Sequence, residues 1–227
     1  MTVKMPVVES ETHDGTVVVT LNRPAKRNAL SHEMLTAIHD ALRSATQSGA
    51  ETLILTGNGP AFCAGADMEP FKHMTQDSER QALLSEYGKA VGAIMEILDS
   101  PDLISICAVN GPAAGGGWAL AMGCDFRIAS ERALFWYPES NMGRVLGELA
   151  LKRVVRDAGP VLAREMVLLA KRYSGKELLA HGLVNEVVPA EQLRTSAGQY
   201  ASCLRALKPH VRAGIKERIN ALSSVFR

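Results

Sequence analysis

The chain reads as an α/β domain with a covered sheet. Short, nearly uninterrupted apolar runs alternate with amphipathic helical stretches, two of those runs break directly into glycine-rich turns, and the sequence after Gly147 is mostly helical in pattern. With 47% hydrophobic and 22% charged residues, the 227-residue chain has the composition of one large globular domain rather than of a disordered protein.

Each element has a local reason. Gly15 to Leu21 (G-T-V-V-V-T-L) is rich in β-branched residues and reads as a strand, stopped by Asn22-Arg23-Pro24. Ser31 is placed to cap a helix, with Glu33 in its first turn and Gly49 beyond its end; Met34, Leu35, Ile38, Ala41, Leu42 and Ala45 recur on one face. Glu51 to Thr56 is a short apolar strand running into a glycine-rich turn at Gly57 to Asp67, and a helix follows between Asp77 and Leu98. Leu103 to Val109 is a second buried strand, entering a second glycine-rich turn at Asn110 to Gly117. Asp125 to Ala129 and Ala133 to Trp136 read as short strands, and one more is expected near Leu183 to Val188. No linker, charge block or low-complexity segment divides the chain.

Composition excludes several classes of function. A formal net charge of +1 argues against a dedicated nucleic-acid or membrane-surface binder. The first fifteen residues lack the apolar run of a signal peptide and the arginines of a transit peptide, and no stretch approaches the roughly 18 apolar residues of a membrane span. Cys63, Cys107, Cys124 and Cys203 are scattered, as buried reduced thiols would be. A soluble, cytoplasmic protein is expected. His13, His32, His39, His73, His181 and His210 form no ligand spacing, so no metal is expected.

The two glycine turns echo each other. Leu53 to Ala61 reads L-I-L-T-G-N-G-P-A, and Ser105 to Ala113, 52 residues later, reads S-I-C-A-V-N-G-P-A. Glycine lets a backbone approach a ligand closely, and the first N–H groups of a helix lack internal partners. Two such turns side by side could aim two N–H groups at one oxygen; equally, the glycines could serve tight packing alone. The phosphate loop G-x-x-x-x-G-K-[ST], the elbow G-x-S-x-G and the zinc helix H-E-x-x-H are absent, and G-x-G-x-x-G fails because Phe62 stands where its third glycine belongs.

Five collinear segments carry a resemblance: L-N-R-P-A-K-R-N-A-L (Leu21 to Leu30), L-T-G-N-G-P-A-F-C-A-G-A-D (Leu55 to Asp67), A-V-N-G-P-A-A-G-G-G (Ala108 to Gly117), C-D-F-R-I-A-S (Cys124 to Ser130) and G-L-V-N-E-V-V-P (Gly182 to Pro189). In this order they resemble the crotonase, or enoyl-CoA hydratase/isomerase, superfamily over nearly the whole chain. The resemblance implies a crotonase-type spiral of ββα units over 1–189, a helical C-terminal region over 190–227 that is shortened relative to typical members, a homotrimer or hexamer, and an acyl-CoA thioester as substrate with no separate cofactor. It implies that the thioester oxygen is held by the backbone N–H groups of Ala66 and Gly116. It further implies acyl-CoA contacts from Lys26, Arg27, Ala29, Ala64, Asp67, Met68 and Lys216.

The family's acid/base residues are side chains. Hydratases carry a glutamate two residues after the G-G-G run, where this chain has Ala119; a second glutamate ends F-x-x-P-E and is retained as Glu139. Water addition uses two carboxylates comfortably, whereas moving a double bond from the 3- to the 2-position needs one base that takes a proton and returns it nearby. The resemblance therefore implies a 3-enoyl-CoA to 2-enoyl-CoA isomerase with Glu139 as acid/base; a hydratase and a non-catalytic acyl-CoA binder remain alternatives. Trp136, Tyr137 and Pro138 before Glu139 would form an apolar wall that raises its pKa. Glu148 is a secondary acid/base candidate, although a first-turn acid of a helix is the simpler reading. Asp67 and Asp125 also read as turn or cap residues, Cys63 reads as a buried thiol, and Lys26 and Arg27 read equally well as solvated charges.

The net charge hides an asymmetry. Through residue 200 there are 19 basic and 23 acidic residues; beyond it there are 6 and 1. The basic tail (Arg205, Lys208, Arg212, Lys216, Arg218, Arg227) spans a helix whose Val211, Ile215, Ile219 and Leu222 share one face. Its basic residues are expected either as a solvated face or as contacts to coenzyme A phosphates.

Overall fold

The structure, a computed structural model, describes residues 5 to 223. Strands β1 (Val8–His13) and β2 (Thr16–Leu21) form an antiparallel hairpin. Asp14 and Gly15 join them with positive φ at both residues (47° and 75°), as a two-residue turn matched to strand twist demands. β1 has no counterpart in the sequence reading: its V-E-S-E-T-H is polar because an edge strand with mostly exposed side chains needs no apolar face.

Strands β3 (Thr52–Gly57), β4 (Ile104–Val109), β6 (Phe126–Ser130) and β9 (Glu186–Val188) extend the sheet in parallel, in the order β1-β2-β3-β4-β6-β9. Strands β5 (Ala113–Ala114), β7 (Leu134–Trp136) and β8 (Tyr173–Ser174) form a second, small sheet. The 52-residue echo in the sequence is the register of the central pair: Leu53 lies opposite Ser105, Ile54 opposite Ile106, Leu55 opposite Cys107 and Thr56 opposite Ala108. Two similar strands therefore deliver two similar turns to the same edge of the sheet.

Helices cover both faces. Helix α1 (His32–Gln47) begins where Ser31 Oγ accepts a hydrogen bond from Met34 N at 3.2 Å. Its Met34, Leu35, Ile38 and Leu42 pack with Leu53, Leu55, Cys107 and Val109 of the sheet and with Ile94, Met95 and Leu98 of α2 (Asp77–Leu98). On the opposite face, Ile54, Ile106, Ala108 and Ile128 pack against Leu193, Ala197 and Ala201 of α6 (Leu193–Arg205). Alternate residues of the central strands thus enter two cores, so their runs are mostly apolar. Helices α3 (Gly116–Gly123) and α5 (Gly175–Ala180) complete the body. Helix α4 (Glu148–Leu168) is broken at Gly159 (φ 72°, ψ 163°) ahead of Pro160, which supplies no N–H.

Helix α7 (Pro209–Ser223) overturns an expectation. Its apolar stripe faces outward, with Val211, Ile215, Ile219 and Leu222 between 39% and 62% exposed, whereas Arg212 and Lys216 are each 5% exposed. Arg212 pairs with Glu51 at 2.9 Å and donates to the carbonyls of Leu204 and Leu207; Asn220, one turn beyond Lys216, donates to Asp99 O at 3.2 Å. Its inner face meets polar chain ends, so Arg212 and Lys216 turn inward to satisfy them, whereas Lys208 and Arg218 stay exposed. Arg227 lies outside the described residues.

Candidate active site

The two glycine turns are packed on each other. Ala114 N donates to Cys63 O at 3.0 Å, and Phe62 N and Cys63 N both donate to Pro112 O. A Cβ on Gly117 would lie 2.4 Å from Cys63 O, and one on Gly65 would lie 2.7 Å from Ala114 O and 3.4 Å from Gly116 N. Only a chain without a side chain fits at these two contacts, and Gly65 also has φ +84°.

The turns leave two donors free. Leu30 N donates to Gly65 O and Asp67 N to Leu30 O, which brackets Ala66 while its own N–H bonds to no other described residue. Gly116 opens α3, so its N–H has no acceptor within the helix. These donors lie on adjoining turns, close to the site's carboxylate. An ideal Cβ on Gly115 (φ +50°) would come within 2.7 Å of Glu139 Oε1.

Glu139 follows β7 and opens a short 3-10 turn, Ser140–Met142. Oε2 is buried and takes no hydrogen bond from the protein. Burial holds the carboxyl above its ordinary range, opposed by the turn's own backbone N–H and by the Arg144 guanidinium. A partly desolvated carboxylate with one oxygen free of protein partners, beside two free N–H donors, can take and return a proton while the donors hold a developing negative charge.

The remaining predicted residues divide sharply. The Arg23–Leu30 loop lies along the Cys63–Asp67 turn, with Ala64 N donating to Arg27 O at 3.0 Å. On it, Lys26 and Arg27 are exposed and Ala29 is half-buried; across from it, Ala64 is exposed and Met68 half-buried. Lys26 approaches Glu69 at 3.7 Å. Asp67 is committed to the fold: Oδ1 accepts from Glu69 N and Oδ2 from Arg23 at 3.0 Å, and these partners hold its carboxyl below the ordinary range despite partial burial.

Lys216 is not offered to a ligand. Its ammonium donates to Leu98 O at 2.6 Å, Leu103 O at 2.7 Å and Asp125 Oδ2 at 2.8 Å, which uses all three donors inside the protein. Asp125 also accepts from Ser105 N and Oγ of β4, which ties the turn ahead of β6 to the neighbouring strand. Glu148 is the first residue of α4 and faces solvent, its side chain 80% exposed and paired to Lys152 at 2.8 Å. It does not stand in for the carboxylate absent at Ala119, which is itself 1% exposed. Cys63 is fully buried, and burial pushes its thiol up to about 12, so it is a packing residue.

Two contributors lay outside the sequence reading. Asn28 (φ 54°) is fully buried, and its side-chain amide donates to the carbonyls of Asn58, Ala61 and Phe62, pinning the loop to the glycine turn. Asparagine's tolerance of positive φ was the available signal. Arg144 stacks on the Phe71 ring at 5.3 Å, a contact between segments far apart in the chain that no local pattern encodes. Phe71 in turn lies 6.2 Å from the Tyr87 ring of α2.

Comparison with known proteins accords with this geometry. A family model described as "Enoyl-CoA hydratase/isomerase" matches residues 11–225. The chain is 35% identical over 206 residues to a probable mitochondrial enoyl-CoA hydratase of Dictyostelium discoideum, covering 90% of this chain and 72% of that one. It is 37% identical over 185 residues to a crotonyl-CoA hydratase of Syntrophomonas wolfei, covering 81% and 69%. Among solved structures, a monofunctional enoyl-CoA isomerase from M. smegmatis superposes with a TM-score of 0.81 at 26% identity, covering 97% of this chain and 95% of that one.

Proposed function

The chain belongs to the enoyl-CoA hydratase/isomerase family of the crotonase superfamily, and from this we propose that it is an acyl-CoA enzyme that shifts a 3-enoyl thioester to the 2-enoyl form. The observation that carries the reading is the single unpaired carboxylate beside the two free N–H groups. Glu139 Oε2 has no protein partner, Asp67 is tied to Arg23, Glu148 faces solvent, and position 119 is alanine.

In the proposed reaction the thioester oxygen lies between Ala66 N–H and Gly116 N–H. Glu139 removes a proton from the carbon next to the carbonyl, the electron pair delocalises over the thioester and the adjacent double bond, and the two N–H donors stabilise the resulting oxyanion. The same carboxyl then returns the proton two carbons further along, which leaves the double bond conjugated. One such backbone donor is worth about 10²–10³ in rate. Lys26 and Arg27, exposed on the loop alongside, are proposed as contacts to the coenzyme's phosphates. Val211, Ile215, Ile219 and Leu222, exposed on α7, support assembly of the chain as a homotrimer or hexamer.

Hydration is the second reading, favoured by the names of the relatives: both matched proteins are called hydratases. One experiment separates them. The protein is mixed with 3-enoyl-CoA, and with crotonyl-CoA, while the conjugated thioester absorbance is followed. A rise with the first substrate that Glu139→Gln abolishes supports the isomerase; a fall with crotonyl-CoA and no rise with 3-enoyl-CoA supports the hydratase. Thioester binding without either change would mark a non-catalytic acyl-CoA binder.

A further inference from the structure

We propose that Arg144 recognises a carboxylate on the acyl chain, so that the substrates are acyl-CoA thioesters whose acyl group carries a second, anionic end. This rests on the reading of the site as an acyl-CoA pocket and specifies its substrate class.

The first observation is how poorly Arg144 is satisfied. Other arginines near the core are answered by acids or carbonyls: Arg23 by Asp67, Arg153 by Asp99 at 2.6 Å, Arg212 by Glu51, and Arg127 by the carbonyls of Leu183 and Cys124. Arg144 is half-buried, yet its guanidinium has only the Met68 thioether at 3.6 Å and the face of Phe71. No carboxylate of the described residues pairs with it. A guanidinium carries five N–H donors in a fork that fits a carboxylate, and a sulfur and a ring face leave that fork unanswered.

The second observation is where it lies. Arg144 N donates to Glu139 O at 2.9 Å, and the guanidinium is near enough to draw on the Glu139 carboxyl. Met68 and Phe71, which it touches, follow closely on Ala66, the first free N–H donor. Arg144 is therefore bound at once to the turn carrying the base and to the turn carrying the donor.

The third observation is the cleft it lines. A cleft of about 330 Å³ runs from Ser140 and the half-buried Arg144 between Leu146, Leu151 and Val155, with a second arginine, Arg164, exposed at its rim. Ser140 Oγ, on this wall, is buried without a hydrogen-bond partner. Apolar walls with an unanswered cation and an unanswered hydroxyl suit a short hydrocarbon chain ending in an anion. Coenzyme phosphates are the other source of negative charge, but the exposed Lys26 and Arg27 on the Arg23–Leu30 loop suit that hydrated group better. A bound carboxylate would also neutralise the guanidinium that opposes Glu139's basicity, which links recognition to proton transfer.

The test compares binding of glutaryl-CoA and valeryl-CoA, saturated five-carbon thioesters with and without a terminal carboxylate, to the wild-type protein, Arg144→Gln and Arg144→Lys by calorimetry. The expected wild-type preference for glutaryl-CoA is about 10–100-fold, that of a charge-assisted hydrogen-bonded pair. Arg144→Gln should bring the ratio of affinities to about one, and Arg144→Lys should keep part of it. Equal wild-type affinities, a ratio that survives Arg144→Gln, equal weakening of both thioesters, or binding of neither would each overturn the proposal. Turnover is scored separately: discrimination without isomerisation retires the proposed reaction alone, and isomerisation without discrimination retires this inference alone.

Discussion

Replacing Lys216 by methionine separates a structural lysine from a ligand-binding one. Methionine keeps most of the length and apolar contact of the stem and removes the ammonium. Three acceptors lose their partner at once: Leu98 O at the end of α2, Leu103 O just before β4, and Asp125 Oδ2. Breaking a buried ion pair from one side costs about 3–5 kcal/mol. The Asp125 side chain is 22% exposed and keeps its two bonds from Ser105, so the lower end applies, about 3 kcal/mol. For a domain of this size each kcal/mol moves the melting temperature about 2–4 °C, which gives a fall of about 6–12 °C. The assay is thermal unfolding followed by circular dichroism, with valeryl-CoA affinity measured well below the transition. A melting temperature within about a degree of wild type, together with lost thioester affinity, would show that Lys216 serves the ligand and not the fold.

The other predictions concern the catalytic turn, the glycine contact and α7. Glu139→Gln should lower kcat by about 10²–10⁴. Because burial raises the Glu139 carboxyl, the folded protein holds that proton more tightly than the unfolded chain does. This group's contribution to stability is full below the ordinary carboxyl pKa and is lost as pH rises through the raised one. Glu139→Gln should accordingly melt higher than wild type at neutral pH, with the gap closing on acidification; a gap that widens towards low pH would contradict the burial argument. Gly115→Ala should cost about 1–3 kcal/mol from its φ of +50° and reduce kcat as well, since the new methyl meets Glu139 Oε1, and paired melts and rates check both. Ile215→Glu, at an exposed position on α7, should lower the association state seen by sedimentation velocity while leaving the monomer folded.

Much of this protein is written locally. Ser31 announces the start of α1 by its own hydroxyl, and Met34, Leu35, Ile38 and Leu42 then recur on the face it buries. The repeated N-G-P-A marks two strands that prove to be neighbours in the register the 52-residue offset states. The glycine turns are legible for the same reason, whereas Glu139 stands out only through the resemblance of F-W-Y-P-E to the family's motif, since a lone glutamate in a short segment otherwise reads as a surface acid. Strands β1, β5 and β8 are not legible: the first is a polar edge and the other two are two residues long, so none has a periodicity to detect.

What the chain alone determined, then, is its alternation of strands and helices and the two glycine turns that follow two of its strands. Tertiary structure alone decided which charges are spent inside. Helix α7 by its own pattern would bury Val211, Ile215, Ile219 and Leu222, yet Arg212 and Lys216 lie inward because the surface it meets presents carbonyls and carboxylates that need donors. Arg144 is left unanswered for the converse reason, since the turn it meets offers only a thioether and a ring. Burial of a charge depends on partners that arrive from distant segments, and hydrophobic periodicity records nothing about them.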